Sequence, residues 1–453
     1  MTTTPTTLSA AAQSLIARIH GRKANVGVIG LGYVGLPLTL LFSEQKIKVT
    51  GFDIDPKKVA TLNTGGSYIQ RITPKEIAAA RAAGFTATAD YTQISKMDAV
   101  IICVPTPLNE FREPDMSYIT GTADAIAPHL VAGQVVILES TTYPGTTDEV
   151  LVPILEKGNP KGLKCAQKDA AGDNTFFVAF SPEREDPGND TVARHDIPKV
   201  VGGVESNATQ IACALYGTIF GKTVPVSTPA TAEMTKLLEN IYRCVNIALV
   251  NELKQLALRM DIDIWEVIAA AATKPFGFHP FYPGPGLGGH CIPVDPFYLS
   301  WKAKEFDFQT RFIELAGEIN TNMPYFVVDR IARALNQHKK SLNGSKIMVL
   351  GLAYKRDIDD LRESPSLTII ELLKNSGADV SYNDPFFPTV GRGRKYNLNM
   401  ASTPLDTIAD FDAVVIITDH TSYDYAMIVR ESKLVIDTRN ACKGIESPKI
   451  FQC

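Results

Sequence analysis

Several features that would direct this chain to a membrane, to the cell exterior or to nucleic acid are missing from its 453 residues. No apolar stretch reaches the roughly 20 residues that a membrane-spanning helix needs, and the first residues lack the apolar core of a signal peptide. No basic run appears, and a formal net charge of -4 gives nucleic acid no electrostatic attraction. We therefore expect a cytoplasmic protein with no membrane or nucleic-acid partner.

Cysteine is scarce: there are seven, an odd number, without a Cys-x-x-Cys pair. This usage favours free thiols in a reducing compartment over a disulfide framework or a zinc site, so no metal is expected. The remaining composition is ordinary for a globular protein, with 45% apolar and 21% charged residues over a length that suits two or three domains.

The first 60 residues carry the pattern of a dinucleotide-binding fold. An apolar strand from Asn25 runs into a G-x-G-x-x-G loop, and a helix follows to about Glu44. A second strand ends on Asp53, about 20 residues past the glycines, where such folds place the carboxylate that binds a ribose. The glycines allow a tight turn and a close approach of backbone to a pyrophosphate at the helix N-terminus. The residues predicted to bind the dinucleotide are Gly30, Gly32, Tyr33, Val34, Gly35 and Asp53.

The charges near the second strand bear on which dinucleotide binds. Asp53 should accept hydrogen bonds from a ribose diol and repel a 2′-phosphate, which favours NAD over NADP. Lys58 leaves an alternative open, because it either meets a phosphate or is a solvated lysine on a helix face.

Further strand-like runs follow at 99–104, 135–139, 176–180 and 199–201. Polar or proline-rich loops leave their C-terminal ends, and in an open parallel sheet those ends line the ligand crevice. The candidate ligand contacts on these loops are Thr106, Thr141 and Glu183.

The middle of the chain is predicted to be helical. Apolar residues recur at helical spacing from about 230 to 260 without Pro or Gly, which predicts one helix of roughly 30 residues. Lys236, Asn240 and Arg243 fall on one face of it, either as a solvated stripe or as functional groups. A second helix is predicted near 311–337.

A new strand-loop-helix pattern starts after that helix. It comprises a strand and turn over 347–355, a helix over 366–374 and strands over 379–384, 413–418 and 434–437. Because the second loop lacks the full glycine fingerprint, this half is expected to be nucleotide-like and to bind a different group. The predicted fold class is α/β, with two Rossmann-like doubly wound halves joined by a long central helix.

One cysteine lies in an unusual loop, Gly284-Pro-Gly-Leu-Gly-Gly-His-Cys291, and Asp295 follows four residues later. Glycines let backbone approach a ligand closely. The Cys291 thiolate is therefore a candidate covalent nucleophile, and Asp295 a candidate for handling protons or orienting water. The alternative is a buried structural cysteine in a turn-rich loop.

Taken in order, eight sequence motifs resemble the UDP-glucose/GDP-mannose dehydrogenases over about residues 26–439. They are VIGLGYVGLPL, FDID, CVPTP, FSPERE, AEMTKLLEN, GPGLGGHCIPVDP, AYKRDIDDLRESPS and IDTRN. The resemblance implies a tail over 1–24, an NAD-binding domain over 25–228, a central helical dimerisation segment over 229–338 and a UDP-sugar-binding domain over 339–453. It also implies an NAD-dependent four-electron oxidation of a nucleotide-sugar C6 alcohol to a carboxylate, through a thiohemiacetal and a thioester on Cys291.

The same resemblance implies roles for individual residues. Lys236 would stabilise the developing oxyanion with Asn240 beside it, and Asp295 would position water with help from Thr141. Glu183 is expected to carry protons. The implied NAD contacts are Gly30, Asp53, Lys58, Thr106, Thr141 and Arg362. The implied UDP-sugar contacts are Glu183, Lys236, Asn240, Phe281, Tyr282, Gly288, Lys355 and Arg439.

Two departures from the pattern of UDP-glucose enzymes bear on the sugar. Pro187 stands where those enzymes usually carry a second glutamate, and Val294 stands where they carry a lysine. The missing proton carrier leaves its role to Glu183, Asp295 or a bound water. Both changes resemble the branch that acts on UDP-N-acetylhexosamines, with UDP-N-acetylglucosamine as the best guess, for surface polysaccharides. UDP-glucose and UDP-N-acetylmannosamine stay as alternatives, and a two-electron hydroxyacid-type dehydrogenase is a more distant one.

Overall fold

The structure is a computed structural model that describes residues 8–69, 71–109, 111–167, 174–184, 192–289, 291–393 and 396–453, and the side chain of Cys291 lies outside that description. The chain divides into two compact units. The first comprises Met1–Glu239 with Trp301–Asp307, and the second comprises Asn240–Ser300 with Phe308–Cys453.

The first unit is built on a twisted sheet with helices on both faces. Its strands are β1 (Asn25–Ile29), β2 (Lys48–Phe52), β3 (Thr86–Thr88), β4 (Ala99–Ile102), β5 (Val135–Leu138), β6 (Lys164–Cys165), β7 (Thr175–Phe180), β8 (Lys199–Gly203) and β9 (Thr223–Val226). Its helices are α1 (Ala10–His20), α2 (Gly35–Glu44), α3 (Pro56–Asn63), α4 (Pro74–Ala82), α5 (Ser117–Ile126), α6 (Val152–Gly158) and α7 (Ser206–Tyr216). A π-helical turn over Thr147–Leu151 leads into α6.

The strand order is β3-β2-β1-β4-β5-β7-β8-β9, with β6 beside β7. Neighbouring strands are parallel except β7 and β8, which pair antiparallel. The central strands are apolar throughout because alternate residues enter two separate cores. Val135 and Ile137 pack on one face, and Val136 and Leu138 pack on the other.

Long helices follow the first sheet. Helix α8 (Pro229–Arg259) has 31 residues and spans about 46 Å at 1.5 Å per residue, and α9 (Ile264–Ala271), α10 (Cys291–Ala303) and α11 (Arg311–Gln337) come after it. The predicted bounds of α11 match the observed helix, and those of α8 differ by one residue at each end.

The second unit contains a five-stranded parallel sheet in the order β11-β10-β14-β15-β16. The elements are β10 (Lys346–Leu350), α12 (Pro365–Asn375), β11 (Asp379–Asn383), β12 (Thr389–Arg392), β13 (Asn397–Ala401), β14 (Ala413–Ile416), α13 (Tyr425–Glu431), β15 (Val435–Asp437) and β16 (Ile450–Gln452). Strands β12 and β13 form a separate antiparallel pair. Both predicted Rossmann-like halves are thus present. Sequence patterning did not predict the strands β3, β6, β9, β12, β13 and β16, nor most of the shorter helices.

Candidate active site

The glycine-rich loop of the first unit makes the turn that the sequence predicts. Gly30 follows β1 with a φ of +89°, and a Cβ there would lie 2.5 Å from the carbonyl oxygen of Cys103. A Cβ on Gly35, where α2 begins, would lie 2.0 Å from the Gly30 carbonyl oxygen. A Cβ on Gly32 would meet no protein atom within 4 Å, so backbone is open to a ligand there. The adjoining Tyr33 is exposed.

Asp53 lies at the end of β2, where a ribose-binding carboxylate is expected. It is buried, and its carboxylate accepts the N–H of Leu31 at 3.0 Å and that of Asp55 at 2.9 Å. The ammonium of Lys58 lies 3.5 Å from the same carboxylate and forms an ion pair with it. Burial and the neighbouring Asp53 raise the pKa of Tyr68, which donates to the Leu31 carbonyl at 2.5 Å. These residues suit a diol better than a phosphate.

The three loop residues singled out in the sequence follow adjacent strands. Thr106, Thr141 and Glu183 come after β4, β5 and β7, which pair side by side in parallel. Thr106 and Thr141 are buried, and Glu183 keeps 15% of its side-chain surface exposed. Their strands therefore end at one edge of the sheet, as expected.

Lys236 is not a solvated lysine. It is buried in the first unit, and its ammonium donates to the Thr141 hydroxyl at 2.5 Å. One turn earlier on α8, the buried carboxylate of Glu233 accepts the N–H groups of Gly145 and Thr147, at 2.6 and 3.0 Å, and the Thr147 hydroxyl at 2.7 Å. Burial raises the pKa of Glu233 to about 7. Glu233 thus fixes the loop that carries Thr141, a role that its place in the AEMTKLLEN run could have suggested.

A second buried charge cluster lies beside these strand ends, and sequence reasoning missed it. The Lys199 ammonium pairs closely with the Glu139 carboxylate and lies 3.9 Å from the Glu183 carboxylate. Tyr216 donates to Glu139 at 2.8 Å. Lys199 and Glu139 are 60 residues apart, so a local sequence pattern cannot predict that they pair.

In the second unit, a carboxylate and an amide form a buried pair. Asn240 on α8 donates to Asp295 on α10 at 2.5 Å, and both side chains are buried. The Arg243 guanidinium in turn donates to the Asn240 amide oxygen. The solvated-stripe interpretation is therefore wrong for Lys236 and Asn240, because helical spacing alone cannot tell a buried polar face from a wet one. Cys291 is the first residue of α10, and its side chain lies outside the described residues.

The glycines before Cys291 are needed for packing within the second unit. A Cβ on Gly288 would lie 2.3 Å from the Cβ of Tyr354, and the N–H of Gly289 donates to the Arg362 carbonyl at 2.8 Å. Gly284 donates its N–H to the buried Asn251 side chain at 2.9 Å. The loop thus packs against the run 351–364, which carries Lys355.

The other predicted ligand contacts of the second unit are held in place by neighbours. The Arg362 guanidinium bonds both oxygens of Asp360 at 2.7–3.0 Å. Arg439 donates to the Ile417 carbonyl at 2.8 Å. Phe281 packs edge-on against Tyr242 at 5.5 Å, and Tyr282 stacks on Trp265 at 6.0 Å. Val294 is buried, and Pro187 lies outside the described residues.

No group of three or more His, Cys, Asp or Glu side chains among the described residues is placed to hold a metal ion. None of the helices in that part of the chain is long and apolar enough to cross a membrane.

Comparison with known proteins adds to this geometry. Three domain descriptions of the UDP-glucose/GDP-mannose dehydrogenase family match in order: the NAD binding domain over residues 24–220, the central domain over 230–322 and the UDP binding domain over 348–444.

Individual relatives match over most of their length. A UDP-N-acetyl-D-glucosamine 6-dehydrogenase of Pseudomonas aeruginosa is 33% identical, over 88% of this chain and 91% of its own. A UDP-N-acetyl-D-mannosamine dehydrogenase of Methanocaldococcus jannaschii is 32% identical, over 93% of both chains. Among solved structures, a UDP-D-ManNAc dehydrogenase from Pyrococcus horikoshii superposes with a TM-score of 0.83 at 32% identity, covering 94% of this chain and 98% of that one.

Proposed function

The chain belongs to the UDP-glucose/GDP-mannose dehydrogenase family and is an NAD-dependent UDP-sugar 6-dehydrogenase, and on that premise we propose that it oxidises the C6 alcohol of UDP-N-acetylglucosamine to the uronic acid. The product would supply polysaccharide synthesis. The observation that carries the chemistry is that helix α8 presents two buried functional groups one turn apart: Lys236, bonded to Thr141, and Asn240, bonded to Asp295.

NAD, when bound, accepts one hydride in each of the two oxidations. The residues that fit it are the turn at Gly30, the open backbone at Gly32 and the Asp53 carboxylate, with Thr106, Thr141 and Arg362 as further proposed contacts.

We propose that Cys291 attacks the aldehyde produced by the first oxidation, so that a C–S bond forms while the carbonyl π bond opens to a thiohemiacetal oxyanion. Loss of a second hydride from this thiohemiacetal, with NAD as the oxidant, would give a thioester. A cysteine at a helix N-terminus ionises more readily, and Cys291 is the first residue of α10. The Lys236 ammonium would stabilise the negative charge that develops on the sugar oxygen. Asp295, oriented by Asn240, would position the water that hydrolyses the thioester and releases the thiolate with the carboxylate product. Glu183 would carry protons at the sugar.

The proposed sugar contacts follow from the family resemblance. Glu183, Lys236 and Asn240 would meet the hexose, and Phe281, Tyr282, Gly288, Lys355 and Arg439 would hold the rest of the UDP-sugar. The 2-acetamido group is inferred from Pro187 and Val294, which replace a glutamate and a lysine with smaller, uncharged side chains. Relatives named for the gluco and the manno N-acetyl sugars match about equally well, so UDP-N-acetylmannosamine and UDP-glucose stay as alternatives.

A panel of UDP-sugars tests the substrate. We expect a kcat/KM for UDP-N-acetylglucosamine about 10- to 200-fold above that for UDP-glucose, the range that a pocket of suitable shape gives. The gluco, galacto and manno N-acetyl sugars are compared in the same assay by NADH release and product mass. A higher kcat/KM for UDP-glucose, or for the manno sugar, would overturn this choice and leave the chemistry intact.

We also propose a homodimer formed through α8. Large apolar side chains that are 41–52% exposed recur on this helix at spacings of seven, four and three residues: Tyr242, Leu249, Leu253 and Leu256. That repeat is typical of a helix packed against another helix, and its occupant would be a second copy of the chain. Light scattering should give a dimer for the unmodified protein and a monomer for Leu253→Glu, whereas Glu252→Lys on an adjacent position is the matched control. A monomeric unmodified protein would contradict the proposal.

The domain division over 1–24, 25–228, 229–338 and 339–453 and the cytoplasmic location remain proposals. Six free cysteines, at 103, 165, 213, 244, 442 and 453, suit a reducing compartment.

A further inference from the structure

We propose that Lys199, acting with Glu139, is a positioning residue that orients the Glu183 carboxylate and places a cation beside it for proton uptake at the sugar. The inference rests on the proposed function, because it assumes that Glu183 contacts the substrate. It concerns residues for which neither the sequence motifs nor the comparisons supply a role.

The cluster is built at the ends of three strands. Glu139 directly follows β5, Glu183 follows β7, and Lys199 begins β8. The Lys199 side chain is 4% exposed and that of Glu139 is fully buried, whereas 15% of Glu183 is exposed. Of the two carboxylates around the single ammonium, only Glu183 therefore has surface that a ligand can reach.

The neighbours of Glu139 make it a fixed support. One of its oxygens pairs with Lys199, and the other accepts the Tyr216 hydroxyl at 2.8 Å. The Lys199 ammonium also lies over the rings of Tyr216 and Phe220, 4.9 and 5.3 Å from their centres. These contacts fix the ammonium 3.9 Å from the Glu183 carboxylate.

The charges favour an ammonium at Lys199. Burial alone lowers the pKa of Lys199, but the carboxylates of Glu139 and Glu183 outweigh it and raise the pKa overall. Burial raises the pKa of Glu139, while Lys199 opposes that shift. The Cys103 thiol, whose pKa is raised by burial, also acts electrostatically on Lys199, and Cys103 is itself influenced by the Lys236 ammonium.

The chemistry explains why such support is useful. Pro187 cannot carry a proton, which leaves that role to Glu183, Asp295 or a bound water, and of these Glu183 is the carboxylate that lies beside Lys199. A carboxylate that accepts a proton must be ionised beforehand, and a cation within about 4 Å favours the ionised form.

The test is the pH dependence of steady-state NADH release from UDP-N-acetylglucosamine by the full-length enzyme. For Lys199→Met we expect kcat to fall about tenfold and the acidic limb of the kcat profile to move up by about one pH unit, with KM for NAD unchanged. Lys199→Arg, which keeps the cation, should return the acidic limb of the kcat profile to its position in the unmodified enzyme. In a Glu183→Gln background, Lys199→Met should no longer move it.

Lys302→Met is the matched control, since Lys302 is also buried in the first unit, between Glu149 at 2.6 Å and Glu305 at 2.7 Å and over the ring of Tyr143. The acidic limb of the kcat profile of Lys302→Met should keep the position that it has in the unmodified enzyme. If Lys199→Met fails to fold, the double variant Lys199→Met/Glu139→Gln removes both buried charges and should still show the shift.

An unmoved limb in a folded Lys199 variant, or an equal shift in the Glu183→Gln background, would overturn the positioning role. Absence of NADH release from every UDP-sugar by the unmodified enzyme would instead contradict the proposed function. The two failures are therefore distinguishable.

Discussion

In each Rossmann-like half, the chain makes a sharp turn at a glycine directly after the first strand, and we call this turn the corner. Gly30 follows β1 with a φ of +89°, and Gly351 follows β10 with a φ of +85°. A Cβ on either residue would lie 2.5 Å from a carbonyl oxygen, that of Cys103 or that of Thr418. Glycine is required at both corners for the same steric reason, whatever ligand each half binds.

The carboxylate at the end of the second strand also recurs, with different partners. Asp53 accepts two backbone N–H groups and faces Lys58. Asp384 accepts four backbone N–H groups at 2.6–3.2 Å and contacts a ring nitrogen of buried His420 at 3.2 Å. A carboxylate has about four lone-pair sites, so Asp384 is fully used by the protein itself.

The two halves also differ in where the helix after the glycine turn begins. Helix α2 begins at Gly35, inside the glycine fingerprint, whereas α12 does not begin until Pro365. The intervening segment of the second half packs its Tyr354 against Gly288 instead of opening a helix N-terminus to a pyrophosphate. The glycine corner is therefore a structural feature of both halves, whereas the loop after it differs between them, and the half with the glycine fingerprint is the one that matches the NAD binding domain.

The largest expected contrast is in cofactor choice. Asp53→Ala should reduce the ratio of kcat/KM for NAD to that for NADP about 10- to 100-fold, because it removes the diol acceptor and the charge that repels a 2′-phosphate. Asp384→Ala is the control, and any activity it retains should keep the original ratio. Equal kcat/KM for NAD and NADP in the unmodified enzyme would contradict the assignment of Asp53 to the ribose diol.

A smaller contrast is expected in stability. Hydrogen bonds and His420 lower the pKa of Asp384 even though burial opposes them. Its ionised form therefore stabilises the fold above the ordinary carboxyl pKa of about 4, and this contribution is lost as pH falls through the lowered value. Asp384→Asn should cost about 2 kcal/mol at pH 7 in urea unfolding, with a difference that shrinks below about pH 4. If the loss of unfolding free energy in Asp384→Asn did not depend on pH, the charge of Asp384 would not contribute to stability. Asp53→Asn should reduce the free energy of unfolding by less, because Asp53 accepts fewer backbone N–H groups.

Sequence patterning predicted the elements well because their periods report burial directly. The runs that became β4, β5 and β14 are apolar on both faces, and α11 has the predicted bounds. Short edge strands were missed because few of their residues enter a core.

The buried charges of the site were harder to predict. The Lys199–Glu139 pair joins residues that are distant in sequence, and the burial of Lys236 depends on a loop almost 100 residues away. Helical spacing placed Lys236 and Asn240 on one face of α8 but did not determine whether that face is exposed to solvent or buried. Tertiary contacts decide the question, and they lie beyond any local pattern.

The most direct test counts NADH released per UDP-N-acetylglucosamine consumed, with the product identified by mass, for the unmodified enzyme and for Cys291→Ala. The account predicts two NADH per sugar and a uronic acid for the unmodified enzyme. It also predicts that overall turnover in Cys291→Ala falls by about 10³-fold or more, because the covalent route from aldehyde to acid is lost. One NADH per sugar in the unmodified enzyme, or two at an undiminished rate in Cys291→Ala, would contradict it.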